Sequence, residues 1–261
     1  MENVKFEICC GSLQSALNAQ EAGANRVELC SALSLGGLTP SYGFIELARK
    51  RLKIDVNVLI RPRQGDFLYD SDEVAVMIRD ITACAQMGVN GVVIGALDPF
   101  GNVDADACRA MVAVAKHHGM SVTFHRAIDR ACNIMAALED VISLGADRVL
   151  SSGGKPTSLE GVETLARMNA AAAGRIIIMP GGGVNAGNIG EILKGSGAEE
   201  IHFSGSETIQ SEMIYREGVS FTPDSHAYGK RGHRCRGAGP GNGHALPGHL
   251  PVQGHGDPQG H

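Results

Sequence analysis

The sequence predicts an α/β fold: a single (β/α)8 TIM barrel of eight parallel strands, with its last helix missing or replaced by a disordered tail. Three observations predict it. Eight short apolar segments alternate with segments of helical period through residues 1–206. One local pattern recurs before every second strand, and polar residues stand at nearly every strand end.

The predicted strands are short apolar runs, and the segments between them have the spacing of amphipathic helices. Strands that alternate with helices imply a parallel sheet, because each helix carries the chain back to start the next strand. The predicted strands are residues 6–10, 26–31, 56–62, 91–97, 121–127, 148–152, 175–180 and 200–204.

A weak internal repeat distinguishes a barrel from an open sheet. Residues 22–29, 87–94, 144–151 and 196–203 share a plan in which glycine ends a helix and a strand starts about three residues later. The copies precede strands 2, 4, 6 and 8, so two strand–helix units are repeated four times. A doubly wound open sheet is the alternative, but it would bind ligand at one strand-order switch.

The composition changes abruptly near the end of the chain. Residues 1–228 are predicted to form the barrel, whereas residues 229–261 contain 10 Gly, 5 His and 4 Pro without apolar periodicity. Such a segment is predicted to be disordered. It is either a His-rich metal-binding tract or a mis-framed, spliced or vector-derived terminus. Without an eighth helix, we expect exposed apolar surface at Phe6, Ile8, Ile201 and Phe203.

The overall composition excludes several classes of protein. A formal charge of −5 argues against nucleic-acid binding, and no apolar run approaches the roughly 18 residues of a membrane span. The N-terminus lacks the basic and apolar regions of a signal peptide. Seven cysteines without a framework spacing indicate reduced thiols in a cytoplasmic protein.

The alternation of side chains along each strand predicts a polar lumen. The outer face must be apolar to pack on helices, so the charged residues between the apolar ones point inward. Charged groups are rarely buried without partners, so the lumen is either an active site or an ion-pair network that holds the barrel open. The inward residues are Glu7, Cys9, Glu28, Cys30, Asn57, Leu59, Arg61, Thr123, His125, His202 and Ser204.

Cys9 and Cys30 occupy equivalent positions on neighbouring strands and are the candidate metal ligands. Two thiolates could bind Cu(I) linearly, or zinc with help from histidine, if the two residues are level across the strand pair. The alternative is a pair of small buried hydrophobic residues. Glu7 and Glu28 would raise the thiol pKa values by repulsion unless Arg61 neutralises the carboxylates.

The remaining candidates suit acid–base chemistry on an anion. Glu7, Glu28 and His125 are the candidate catalytic residues, and we expect them in one cavity with Arg61 and His202 at the C-terminal strand ends. Guanidinium groups and glycine-rich loops after strands 7 and 8 bind carboxylates or phosphates, although an Arg–Asp66 pair could simply hold its loop. The candidate anion-binding residues are Arg61, Arg63, Asp66, Gly182, Gly183, His202 and Ser204.

Several segments together resemble the CutC family of copper homeostasis proteins, which have a TIM-barrel fold. They are EIC at residues 7–9, RVELC at 26–30, GGLTPS at 36–41, IRPR at 60–63, GDF at 65–67 before Tyr69, VTFHRA at 122–127 and MPGGG at 179–183. They span roughly residues 4–228 in the family's order. GGLTPS taken alone indicates only a tight turn into a helix.

This resemblance implies a cytoplasmic, often dimeric protein that handles copper, with Cu(I) bound at Cys9 and Cys30. It also implies a closing C-terminal helix, which this sequence replaces with the Gly/His/Pro tail. We therefore predict cytosolic Cu(I) binding and trafficking. The alternative is an enzyme acting on a small anionic substrate, such as a phosphorylated one. A scaffold that uses only the barrel surface is disfavoured by the charged lumen.

Overall fold

A computed structural model describes residues 4–205, 207–208, 214 and 231–232 of the protein. It confirms the eight predicted parallel strands, most of which end a few residues earlier than the apolar runs indicate. The strands are β1 (Lys5–Cys10), β2 (Arg26–Leu29), β3 (Asp55–Leu59), β4 (Gly91–Ile94), β5 (Ser121–Phe124), β6 (Arg148–Ser151), β7 (Ile177–Pro180) and β8 (Glu200–Phe203). A short antiparallel pair follows, β9 (Glu207–Thr208) with β10 (Arg231–Gly232).

Helices connect the barrel strands in alternation. Local capping fixes several helix starts: the Asp70 side chain accepts from the third residue of its helix, and Glu73 reaches back to complete a capping box. The helices are α1 (Leu13–Glu21), α2 (Tyr42–Arg51), α3 (Ser71–Gln86), α4 (Ala105–His117), α5 (Ile134–Ser143), α6 (Val162–Ala172) and α7 (Ile189–Ser196). None of the helices within the described residues has the length and apolar character to cross a membrane.

The described part of the chain contains no helix after β8. The tail predicted for residues 229–261 lies outside the described residues, apart from Arg231–Gly232. The apolar wall around β8 and β1 differs from the expectation: Ile8, Ile201 and Phe203 are 3%, 0% and 7% exposed, and Phe6 is half-buried. These side chains belong to the main core, where the rings of Phe6 and Phe203 pack edge to face.

The sheet closes into a nearly complete barrel at the seam between β7 and β8. The hydrogen-bonded order runs β7-β6-β5-β4-β3-β2-β1-β8, and an isolated parallel bridge joins Gly181 to His202. A Cβ atom on Gly181 would lie 2.4 Å from Cδ1 of Leu150 and 3.3 Å from Cβ of His202. Glycine therefore permits this close approach, which brings His202 to the seam.

Candidate functional site

The predicted inward residues of β1, β2 and β8 form one buried group. Glu7 pairs with His202 across β1 and β8, and Cys9 pairs with Glu28 across β1 and β2. Because β1 lies between the other two strands, these residues and Cys30 meet on the inner face. All five are buried.

Glu7 is a fully paired carboxylate. Its Oε1 lies 2.7 Å from Nδ1 of His202, and its Oε2 accepts from Nε of Arg26 at 2.5 Å and from Nδ2 of Asn57 at 3.3 Å. Burial alone would raise the pKa of Glu7, but the hydrogen bond with His202 and the charge of Arg26 lower it to about 2. Glu7 is therefore ionised across the physiological pH range.

Arg26 continues this network on the inner face and was missed by the sequence analysis. It donates to Glu200 at 2.6 Å, and Nε of Arg148 donates to the same carboxylate at 2.8 Å. Two arginines and two glutamates thus balance one another in the lumen. The sequence analysis considered Arg61 as the residue that neutralises the carboxylates, but Glu7 is neutralised by Arg26. The alternation of side chains could have predicted this, because Arg26 lies on the same strand face as Glu28, and Glu200 on the same face as His202.

His202 connects the carboxylates of neighbouring strands. Its Nε2 lies 3.7 Å from Oε2 of Glu28, on the side of the ring opposite the contact with Glu7. Burial alone lowers the pKa of His202. Hydrogen bonds to Cys9 and Glu7 and the charge of Glu28 outweigh burial and raise this pKa well above its usual value. These contacts favour the protonated ring, which faces Cys9.

Cys9 and Cys30 approach closely although they are not level across the strand pair. The expectation that they must be level is wrong: Cys9 lies opposite Glu28, so Cys30 is two positions further along the chain, just past the end of β2. Their Sγ atoms are nevertheless 3.6 Å apart, because side chains lean along a strand as well as away from it. Sγ of Cys30 also lies 3.3 Å from Oε2 of Glu28. The ligand atoms of all three residues lie within 4.8 Å of one another.

The two thiols have opposite acidities. The hydrogen bond between the two sulfur atoms, with the help of His202, overcomes burial and lowers the pKa of Cys9 to about 5. The same hydrogen bond and burial raise the pKa of Cys30 well above its usual value. Repulsion by the carboxylates was expected to raise both pKa values. This expectation fails for Cys9 because Cys30 and His202 stabilise its thiolate.

Glu28 is the protonated member of the group. Burial raises the pKa of Glu28 to about 8, and the charges of Cys9 and Glu7 add to this effect, while His202 opposes it. Burial and the neighbouring negative charges thus disfavour ionisation of Glu28 and Cys30, whereas Cys9 is the more acidic of the two thiols.

Arg61 and His125 lie in a neighbouring group around the ring of Phe67. The Cζ atom of Arg61 is 5.1 Å from the centre of that ring, and the imidazole of His125 is 5.0 Å from it. In the described part of the chain, neither residue makes a hydrogen bond or ion pair with Glu7, Glu28 or His202. Both are buried, with 5% of their surface exposed.

The segment at residues 36–41 wraps around Arg61 in addition to starting α2. The backbone N–H of Arg61 donates to Oγ1 of Thr39 at 2.8 Å, and the N–H of Thr39 donates to the carbonyl of Arg61 at 3.0 Å. Gly37 has a φ of +87°, and a Cβ there would lie 2.8 Å from Cδ2 of Leu59. This glycine lets the loop pass directly over the lumen.

The other residues predicted to bind anions lie around the loops. Arg63 is paired with Asp66 at 3.0 Å and with Glu73, so two carboxylates already occupy it. None of the loop candidates makes a hydrogen bond or ion pair with the cysteines or with Glu28 among the described residues. A Cβ on Gly182 would meet Arg126 and one on Gly183 would meet Thr157, while Ser204 is exposed after β8.

Fold and site together define a TIM-barrel protein with a buried, activated thiolate beside a second thiol. Residues 4–207 match the CutC family. A CutC family protein of Xylella fastidiosa strain 9a5c is 51% identical over 209 residues, 80% of this chain and 78% of that protein. A CutC family protein of Xanthomonas campestris pv. campestris strain 8004 is 50% identical over 208 residues, which are 80% of this chain and 86% of that protein. The chain belongs to the CutC family.

Solved structures agree with this assignment. The CutC protein of Streptococcus agalactiae, named as a copper homeostasis protein, superposes with a TM-score of 0.73 at 31% identity, covering 77% of this chain and 98% of that one. The likeness to an aldolase, with a TM-score of 0.56 at 17% identity, reflects the barrel fold alone.

Proposed function

We propose that the protein binds Cu(I) as cargo through Cys9 and Cys30, in cytoplasmic copper homeostasis and as a homodimer. The observation that carries this proposal is the 3.6 Å separation of the two Sγ atoms. Thiolates are soft ligands that select Cu(I), and one of the two is already ionised. The name of the streptococcal relative supports copper as the metal.

The sulfur geometry favours a bent arrangement over a linear one. With a metal–sulfur bond of about 2.3 Å, as in zinc thiolates, sulfurs 3.6 Å apart enclose an angle of about 100° at the metal. A linear bridge would need a separation of about 4.6 Å. A bent pair leaves room for a third ligand, and the Glu28 carboxyl group is in reach for an ion that displaces its proton.

The two candidate ions differ in the number of protons that they must displace from the buried group. Binding of Cu(I) with loss of the Cys30 proton leaves the net charge of the group unchanged, because one positive charge replaces another. A divalent ion leaves this charge unchanged only if Glu28 also loses its proton. Uncompensated charge is costly in a buried site, so Zn²⁺ must displace one proton more than Cu(I).

The test is a titration of reduced protein with Cu(I) against a competing chelator. The double variant Cys9→Ser with Cys30→Ser should lose high-affinity binding, whereas Cys132→Ser, which removes an exposed thiol, should retain it. Binding that survives the double substitution would contradict the proposal and direct attention to the histidines of residues 229–261.

The second candidate function is an enzyme acting on a small anionic substrate. The observation that favours it is Glu28, a buried carboxylic acid with a pKa of about 8 beside the thiolate of Cys9. These two groups suit a general acid and a nucleophile. Glu7 is the weaker candidate for a base, because His202 and Arg26 lower its pKa to about 2 and so make it a poor proton acceptor. If the protein is such an enzyme and does not carry copper, the wild type and Cys9→Ser should bind Cu(I) with the same affinity.

A further inference from the structure

Arg61 is a buried cation without a countercharge in the described part of the chain. Its terminal nitrogens donate to the backbone carbonyls of Leu35, Gly37 and Gly65, at 3.2, 2.9 and 2.9 Å. These neutral acceptors orient the guanidinium but leave its charge unbalanced. Its Nε–H is buried and has no hydrogen-bond partner there. A buried charge of this kind is costly unless it is paired.

His125 presents a second donor without an acceptor. The backbone N–H of Ala127 donates to its Nδ1 at 3.1 Å, so the ring proton of the neutral imidazole resides on Nε2. Burial and the charge of Arg61 lower the pKa of His125 to about 3, which keeps the ring neutral. Among the described residues, nothing accepts from Nε2, which is buried.

Both donors belong to residues that pack on the ring of Phe67. The hydroxyl of Tyr69 is also buried beside Arg61: burial raises its pKa, and the charge of Arg61 and a hydrogen bond with it oppose that rise. Two of these three groups can only donate, and one of them is cationic. The missing partner must therefore accept hydrogen bonds and carry negative charge.

The nearby carboxylates are already occupied. Asp66 accepts from Arg63 at 3.0 Å. Asp129 accepts from Arg126 at 2.8 Å, from the Ser151 hydroxyl at 2.6 Å and from the backbone of the following loop. Neither carboxylate makes a hydrogen bond to Arg61 or His125 in the described part of the chain, so the acceptor that these two donors lack is not one of them.

We propose that Arg61, His125 and Phe67 form a binding site for a small oxyanion, a carboxylate or phosphate group. Nε–H of Arg61 and Nε2–H of His125 donate to its oxygens, and the ring of Phe67 shields these bonds from water. The site stands independently of copper binding, because it shares no ligand atom with Cys9 or Cys30.

The test compares the melting temperature in sodium phosphate or sodium acetate with that in chloride at equal ionic strength and pH. A ligand that binds the native state raises Tm in a saturable manner. We expect such a rise for the wild type, its loss in Arg61→Gln and in His125→Phe, and its retention in Arg109→Gln, which alters an exposed arginine on α4. A response to phosphate alone identifies a phosphoryl ligand, and a response to acetate alone identifies a carboxylate.

The absence of a saturable rise with either anion would overturn the proposal, as would a rise that persists in Arg61→Gln. Because Arg61 also binds three carbonyls, its variants could fail to fold. Nitrogen NMR of the wild type then decides: phosphate or acetate should shift the Nε2–H resonance of His125 and leave those of His117 and His118 unchanged. An unshifted His125 resonance with both anions would overturn the proposal.

Discussion

Nδ1 of His202 lies 2.7 Å from Oε1 of Glu7, and this contact joins the last strand of the barrel to the first. The same histidine bridges to Gly181 at the β7–β8 seam and turns its other nitrogen towards Glu28. Barrel closure and the cysteine site therefore meet at one residue, whose backbone lies at the seam and whose side chain joins Glu7 to Glu28. Changes at this contact should affect both stability and thiol chemistry.

Glu7→Gln should destabilise the protein by about 3 kcal/mol at pH 7, because it removes the negative charge that Arg26 and His202 share and leaves Arg26 with Glu200 alone. The pKa of Glu7 is lowered from 4.5 to about 2, so its contribution is complete above pH 4.5 and is lost as the pH falls towards 2. Urea unfolding at several pH values measures this difference. Glu46→Gln, which breaks an exposed pair with Lys50, is the control and should have no measurable effect. Equal effects of the two substitutions would refute this assignment.

The thiolate of Cys9 should depend more on Cys30 than on His202. Cys30→Ala removes the hydrogen bond that contributes most to lowering the pKa of Cys9 to about 5, and His202→Gln removes a smaller contribution. The thiolate is followed by its ultraviolet absorbance as a function of pH. The midpoint of this titration should shift to higher pH in both variants, and further in Cys30→Ala. Cys108→Ala is the control, since burial raises the pKa of Cys108 to about 12. The reverse order of the two shifts would contradict this prediction.

Copper binding should release protons and strengthen as the pH rises. The pKa of Cys30 is raised well above its usual value, so Cu(I) must displace its proton, and lowering the pH favours the proton. Calorimetry in buffers of different ionisation enthalpy should give about one proton released per Cu(I) at pH 7, and about two per Zn²⁺ because Glu28 also ionises. An affinity for Cu(I) that does not change with pH would rule out Cys30 as a ligand.

Gly37→Ala should cost more stability than the same substitution at Gly88. Both residues have positive φ, +87° and +73°, so alanine is strained at either position by about 1 kcal/mol. Only at Gly37 would the new Cβ also meet Leu59, at 2.8 Å, whereas nothing lies within 4 Å at Gly88. Urea midpoints of the two variants give the difference. Equal losses of stability would contradict this prediction, because they would mean that the loop over Arg61 shifts to make room for the new Cβ at no cost in free energy.

The strand period predicted much of the site. Alternation alone placed Glu7, Cys9, Glu28, Cys30 and His202 inward, because an outer face packed on helices tolerates few charges. The same period includes Arg26 and Glu200. They stand at the first positions of their strands, whereas functional residues of such barrels are expected at the C-terminal strand ends.

Other features depend on relationships between strands and loops that one sequence does not encode locally. The two-residue offset of Cys9 and Cys30 follows from the stagger of the barrel strands. The thiol pKa values follow from that offset, because it determines which group donates to which. Arg61 was correctly placed on the inner face, but its lack of a countercharge becomes visible only once the loops around it are in place.

The central claim is that Cys9 and Cys30 together bind Cu(I). X-ray absorption at the copper edge, on protein loaded with one equivalent of Cu(I), measures the ligand atoms directly. We predict a first shell containing two sulfur atoms that loses one of them in Cys9→Ser and is unchanged in Cys132→Ser. A first shell of nitrogen and oxygen alone, identical in the wild type and in Cys9→Ser, would contradict the claim.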